Sequence, residues 1–281
     1  NILSKYGAGY SSSMFTALTE LGSQKGYDMA TMEKAGLITR KEDGKIFDRF
    51  VNRITFPFYS LSGLVIGFTG RSLEKDTQCK YLNSPETPLF HKGKTLFGIY
   101  QARQEISKSD KCYLVEGQFD VLSFVQSGYP NTVCGSGTAL TLDQVRIIKK
   151  FTRNITAVYD GDAAGMKASV RNMDIMLAEG MNVRAVLLPE GEDPDSFARK
   201  MGTEKLAKFL KKQETDFISF IYKAFESEMD DPIRKTEVLR IIAQSISVVP
   251  DKLQRQAYIV SLAERFNADG ELITNLVAEL Q

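Results

Sequence analysis

Between Lys111 and Lys200, short apolar runs alternate with amphipathic stretches. Cys112 to Val115, Asn154 to Tyr159 and Val183 to Leu188 are apolar, β-branched or aromatic, and Asn131 to Cys134 is a weaker fourth run. Each predicts a strand. Between them, helical spacing recurs in Val121, Leu122, Phe124 and Val125, then in Leu142, Val145, Ile148 and Phe151, then in Ala168, Met173 and Leu177. Strand, helix, strand at this spacing predicts a parallel sheet with right-handed crossovers. Upstream, Phe47 to Ile66 alternates as strands do around a hairpin-like turn at Leu61-Ser62-Gly63. It follows small-residue turns at Tyr6 to Ser13 and two predicted helices, Met14 to Leu21 and Met29 to Ala35. Downstream, a short helix is expected over Thr203 to Leu210, and from Asp216 the pattern is wholly helical: Phe217 to Met229, Pro232 to Val248, Leu253 to Phe266 and Gly270 to Leu280. Asp231-Pro232 and Pro250-Asp251 are start signals, and Val238, Leu239, Ile242, Ile246 and Val249 form a stripe suited to a bundle core. The expected fold class is α/β, with a parallel-sheet core at 108–213, a mixed α/β subdomain before it at 1–107 and a small helical bundle after it at 214–281.

Acidic residues follow three of the predicted strands: Glu116 and Asp120 in EGQFD, Asp160 and Asp162 in DGD, Asp193 and Asp195 in EDPD. In open parallel sheets ligands bind beyond the carboxyl ends of the strands, so these carboxylates are expected to converge. Two like charges about 4 Å apart repel by roughly 4 kcal/mol at an effective dielectric near 20, while a domain is stable by only about 5–15 kcal/mol. Such a cluster must take up protons or bind cations. All-oxygen donors suit Mg²⁺ or Mn²⁺, and Mg²⁺ combines a carboxylate or two with waters and substrate phosphates. The pattern therefore predicts a phosphate-handling metal site. Taken singly, Asp193-Pro194 also fits a helix start and DGD a polar turn; equivalent places after three strands favour the cluster.

Composition narrows the partners. The 281 residues include 36 Lys and Arg against 35 Asp and Glu, a formal net charge of +1. No global basicity advertises nucleic acid, so any such site is a local patch. One exists: Lys45 to Arg103 carries nine basic and four acidic residues, with Tyr81, Phe90 and Phe97 interleaved. Cations that neutralise phosphates and aromatics that stack bases are what single-strand binding needs, although charge counting alone also fits a solvated face over core aromatics. Three widely spaced cysteines and one histidine, His91, assemble no zinc site and no disulfide framework. With no apolar run of membrane-spanning length and no signal-peptide pattern, no membrane partner is expected, and the chain reads as cytoplasmic. The turn Gly135-Ser136-Gly137-Thr138 can present amides to an anion, with Thr141 capping the next helix.

The acidic signatures carry a resemblance. EG-x-x-D, DGD and D-x-D within GEDPD resemble the Toprim domain of primases, topoisomerases, some nucleases and recombination mediators. The fuller contexts YLVEGQFDVLSFVQSGYPNTVCGSGTALT, VYDGDAAGMKA and LPEGEDPDSFARK are similar to the DnaG-type bacterial primases, as are GFTGRSLEKD and KYLNSPETPLFHKGKTLFGIY upstream. The resemblance runs from about Tyr6 to the end of the chain. It implies a Toprim core that joins ribonucleoside triphosphates into short RNA primers on a single-stranded DNA template, leaving an RNA–DNA hybrid. It implies Mg²⁺ or Mn²⁺ at Asp160, Asp162, Asp193 and Asp195, with Glu116 either a further ligand or the general acid/base and Asp120 supporting the cluster by a hydrogen bond. Glu116, Asp160 and Asp162 are the expected catalytic residues. Position by position, it marks Arg71, Lys80, Tyr81, Asn83 and Lys92 as nucleic-acid or nucleotide contacts. It also implies a bacterial, replisome-associated setting. The family's zinc module and its helicase-binding domain are expected to lie outside this chain, so that zinc is not expected here and a replicative helicase is reached through an absent domain. Gln118, where the family has an aromatic residue, and Cys134-Gly135-Ser136 depart from the usual pattern. The alternatives are a Toprim nuclease and a non-catalytic single-stranded DNA scaffold; a topoisomerase needs a tyrosine-bearing domain that the chain has no room for.

Overall fold

The computed structural model describes residues 1–74, 77, 79–135, 137, 139–161 and 166–281. The chain divides into two compact units, 1–102 with 134–138, and 103–133 with 139–281.

In the first unit α1 (Ile2–Lys5) leads to β1 (Gly9–Ser11), α2 (Ala17–Gln24) and α3 (Met29–Lys34). The hairpin β2 (Ile38–Arg40) and β3 (Ile46–Asp48) follows, then β4 (Arg53–Tyr59), β5 (Val65–Ser72) and β6 (Tyr81–Asn83). The sheet order is β1-β4-β5-β6, antiparallel throughout. Phe56, Phe58, Phe90 and Phe97 are buried against one another beneath it. Buried Asp48 at the end of β3 accepts the Leu18 and Thr19 amides at 2.6 and 2.9 Å, covering donors that the first turn of α2 leaves unpaired. The hairpin-like turn lies where the pattern puts it, between β4 and β5. The small-residue segment at Tyr6 to Ser13 is more ordered than its composition suggests, because β1 takes up the free edge of β4.

α4 (Ile99–Ser109) leads into the second unit, where β7 (Cys112–Val115), α5 (Gln118–Gln126), β8 (Thr132–Cys134), α6 (Leu142–Lys149), β9 (Asn154–Tyr159), α7 (Met166–Ala178) and β10 (Asn182–Leu187) realise the predicted alternation. Then come α8 (Pro194–Gln213), β11 (Thr215–Asp216) and α9 (Phe217–Ala224), followed by α10 (Pro232–Ser247), α11 (Lys252–Phe266) and α12 (Gly270–Glu279). The sheet order is β11-β10-β9-β7-β8, with β10, β9 and β7 parallel. All four residues of β7 and five of the six in β9 are buried, as expected of strands covered on both faces. β11 pairs antiparallel with β10; two residues are too few to leave a sequence signal. The short helix expected at Thr203 is the second half of α8, which kinks at Gly202, where φ is +67°. Its polar first half hid behind too few apolar positions. The helix expected over Phe217 to Met229 stops at Ala224, and a 3₁₀ turn, Glu226–Glu228, replaces its end in a segment rich in acids. Val238, Ile242, Ile246 and Val249 are buried in the terminal bundle. Among the described residues no helix is long and apolar enough to cross a membrane.

The amino ends of the parallel strands are tied by Glu214, between α8 and β11. Its Oε1 lies 2.6 Å from Lys111 Nζ and also accepts the Thr156 hydroxyl. Burial pushes the Glu214 carboxyl up, but the hydrogen bonds from Lys111 and Thr156 outweigh it and hold the group below the ordinary carboxylate range. The folded group therefore stays ionised where the unfolded one takes a proton, and its stabilisation is present above about pH 4.3 and lost as the pH falls through the folded value. Glu214→Gln leaves Lys111 half-buried without its counter-ion and is expected to cost about 1–3 kcal/mol at pH 7 in urea unfolding. The difference from wild type should shrink below pH 4, and a pH-independent difference would show that charge is not its cause.

Candidate active site

Glu116 stands exposed immediately after β7, and Gly117 opens α5 as its N-cap. Asp120, one turn on, reaches back so that its Oδ2 accepts the Gly117 amide at 2.7 Å. Its Oδ1 accepts the Asp195 amide, from the first turn of α8, at 3.1 Å. One carboxylate thus clamps the loop after β7 to the start of α8. Asp120 is 8% exposed. Burial, opposed by the two amides and reinforced by the charges of Asp160 and Asp193, pushes its pKa up to about 7.

The other two acidic segments are brought to the same place by backbone. Asp160 follows β9, and the amide of Gly161 meets the Glu192 carbonyl at 3.4 Å. A Cβ at Gly161 would lie 2.2 Å from the Pro189 carbonyl oxygen, so only glycine allows these two loops to approach so closely. Asp193 caps α8, its Oδ1 accepting the Ser196 amide at 2.7 Å, with Pro194 in the first helical position. The helix-start reading of Asp193-Pro194 therefore holds, and the capping carboxylate also bears on Asp120 by its charge. Asp195 Oδ1 accepts the Ser123 hydroxyl at 2.5 Å and Oδ2 lies 2.9 Å from Arg199 Nη2. Glu192 is ion-paired with Lys200, which holds its carboxyl below the usual range. Asp162 lies outside the described residues.

Among the described residues no three acidic, cysteine or histidine side chains stand close enough to form a complete metal cage. The donor set nonetheless fits a hard divalent cation, for two reasons. All its members are carboxylates, and the electrostatic stress among them, felt at Asp120 from Asp160 and Asp193, is what a cation relieves. Mg²⁺ also completes its shell with water and phosphate oxygens rather than with protein alone.

In the first unit four of the five predicted contact residues gather at the β5–β6 edge. Arg71 pairs across the ladder with Tyr81, its guanidinium carbon 5.7 Å from the ring centroid, and Thr69 pairs with Asn83. Tyr81 is 40% exposed. Tyr81 and Asn83, two apart on a strand, share a face. Lys80 is exposed just before β6, and its carbonyl accepts the Ser72 amide. Gly137, from the glycine-rich turn, sits against Asn83 Nδ2. Lys92 lies in a 3₁₀ turn whose entry is fixed by Glu86: Oε1 accepts the Lys92 amide at 2.9 Å and Oε2 meets His91 Nδ1 at 3.0 Å. Arg49 and Arg53 are two of the nine basic residues counted between Lys45 and Arg103, and neither is marked as a contact. Arg49 grips the Asn83 carbonyl with two hydrogen bonds of 3.0 and 2.7 Å, and Arg53 those of Gly70 and Cys79, so both are struts under the basic edge. Ser123 was likewise passed over, since a serine inside a helix carries no signal until its partner is known.

A parallel sheet whose carboxyl ends gather acidic loops defines a Toprim-like domain, and residues 113–198 match the family model described as Toprim-like. Residues 1–103 match the DNA primase catalytic core, N-terminal domain, and 226–271 the DnaB-helicase binding domain of primase. The last match falls inside this chain, in the terminal bundle, not in a segment beyond it. The DNA primase of Halalkalibacterium halodurans is 36% identical over 262 residues, covering 92% of this chain and 44% of that protein. A DNA primase domain from Pseudomonas aeruginosa is similar in structure, with a TM-score of 0.86 and 33% identity, covering 99% of this chain and 88% of that one. A DnaG primase catalytic domain bound to ssDNA matches with a TM-score of 0.81 and 30% identity, over 94% and 86% of the two chains. The chain belongs to the DnaG-type DNA primase family, whose members include a catalytic core of this fold. It spans less than half the length of the curated relatives it matches.

The buried Asp120 makes a testable demand on pH. Its folded pKa lies above the unfolded value near 4, so its contribution to stability is complete below about pH 4 and is lost as the pH rises through about 7. In EDTA, urea unfolding of the wild type is expected to lose up to about 4 kcal/mol between pH 4 and pH 8 through this group. Asp120→Asn should lower stability overall and flatten that part of the profile. Parallel pH profiles for the two proteins would show Asp120 ionised throughout.

Proposed function

We propose that this chain is the RNA-polymerising region of a primase, joining ribonucleoside triphosphates on a single-stranded DNA template and leaving an RNA–DNA hybrid. The observation that carries the proposal is the clamp at Asp120, which holds the acidic segments after β7 and β10 together, with the Gly161–Glu192 contact adding the one after β9. In the reaction a 3′-hydroxyl attacks the α-phosphate in line and pyrophosphate leaves. Asp160, Asp162, Asp193 and Asp195 are the carboxylates that would hold Mg²⁺ or Mn²⁺. A divalent cation bound there supplies positive charge for the triphosphate oxygens and lowers the pKa of the attacking hydroxyl. Glu116, exposed at the end of β7, accepts the hydroxyl proton. The buried base of the cluster excludes water beneath the acids, and the first turn of α8 keeps Asp193 in register through its cap on Ser196.

The basic edge of β5 and β6 binds phosphate and base. Arg71 and Lys80 neutralise phosphates, Tyr81 offers a stacking face, and Asn83 and Lys92 complete the contacts. The ssDNA-bound structural relative supports this reading. The match at 226–271 supports a replicative helicase as partner, contacted through the terminal bundle. A cytoplasmic, nucleoid-associated location goes with that work.

Primer synthesis on single-stranded DNA with Mg²⁺ or Mn²⁺ tests the chemistry. Glu116→Gln and Asp160→Asn are each expected to lower it by at least about 100-fold with unchanged unfolding curves; full activity in either removes that residue from the mechanism. Degradation of labelled DNA without incorporation of ribonucleotides would point to a nuclease instead. For the basic edge, Arg71→Ala and Lys80→Ala should weaken single-stranded DNA binding and each reduce the slope of log K against log salt by about one. Identical slopes would take them out of the interface.

A further inference from the structure

The acidic residues after β10 come with cations of their own. Asp195 is held at every polar atom: its amide by Asp120, Oδ1 by the Ser123 hydroxyl, Oδ2 by Arg199 Nη2 at 2.9 Å, and its carbonyl by Arg199 Nε at 3.4 Å. The Asp195 side chain is 17% exposed and that of Arg199 is 68% exposed. The two side-chain partners differ in kind. Ser123, buried on α5, is neutral, and its hydrogen bond to Oδ1 does not occupy the other oxygen. Arg199 sits on Oδ2 with a full positive charge and has open solvent to swing into.

We propose that Arg199 is a displaceable counter-ion of the acidic cluster. It neutralises Asp195 in the metal-free chain and yields Oδ2 to an entering divalent cation, so that it lowers divalent-cation affinity while Ser123 keeps the carboxylate aimed. This inference rests on the proposal that the cluster holds such a cation. A pair spaced four residues apart on a helix, with its arginine largely in solvent, is a weak one, which suits a counter-ion that must leave. Lys200 offers an internal comparison. It pairs with Glu192, which is outside the proposed ligand set, and removing it takes away the same charge one residue further along α8.

Calorimetric titration of the chain with Mn²⁺ alone tests this without reference to turnover. Arg199→Gln is expected to tighten Mn²⁺ binding about two- to fivefold, Arg199→Lys to stay near the wild type, and Lys200→Gln to change it less than Arg199→Gln does. Unchanged or weaker binding in Arg199→Gln, or equal tightening in both glutamine variants, would overturn the counter-ion role and leave the cation site standing. A wild-type chain that takes up no Mn²⁺ overturns both.

Discussion

A single buried carboxylate, Asp120, is the constraint on which the candidate site depends. It accepts an amide from the loop after β7 and another from the first turn of α8, and it does so within reach of two further negative charges. Burying an acid beside other acids costs stability, and the fold offsets part of that cost with two backbone donors. A protein selected only for stability has little reason to place charges so. That placement is what the proposed cation seat would explain.

The rest of the second unit serves this placement. Parallel strands put their carboxyl ends at one rim, and each crossover helix returns the chain so that the next acidic loop begins beside the last. Glycine at position 161 lets two of these loops touch where a methyl group would collide with the Pro189 carbonyl. At the far end of the strands Glu214 gathers Lys111 and Thr156, so a half-buried ion pair pins the sheet at one end while at the other burial, reinforced by the neighbouring acids, raises the pKa of Asp120. The terminal bundle packs its Val238 to Val249 stripe inward.

The first unit organises charge differently. Half-buried Arg71 and exposed Lys80 and Tyr81 stand at the β5–β6 edge, while Arg49 and Arg53 turn their guanidinium groups onto carbonyls and brace that edge from within. A basic residue count over this stretch therefore mixes two populations. Burial lowers the pKa of Arg49, and only the cations left in solvent are available to phosphate.

The sequence by itself determined the order of strands and helices in the second unit, because apolar runs and helical periodicity are local patterns, and it determined that acids follow three strands. It also carried the family motifs, which are contiguous words. Only the tertiary structure decided what those acids do to one another. Asp193 became a helix cap, Asp195 a residue braced by Ser123 and Arg199, and the hydrogen-bonding support expected of Asp120 took the form of a buried clamp on two backbone amides. The same holds for β1, β11 and the first half of α8, whose own residues carry little apolar signal and which exist because a neighbouring strand edge or a capping carboxylate receives them. Burial, charge coupling and edge pairing are properties of neighbours distant in sequence, and a pattern read along the chain cannot contain them.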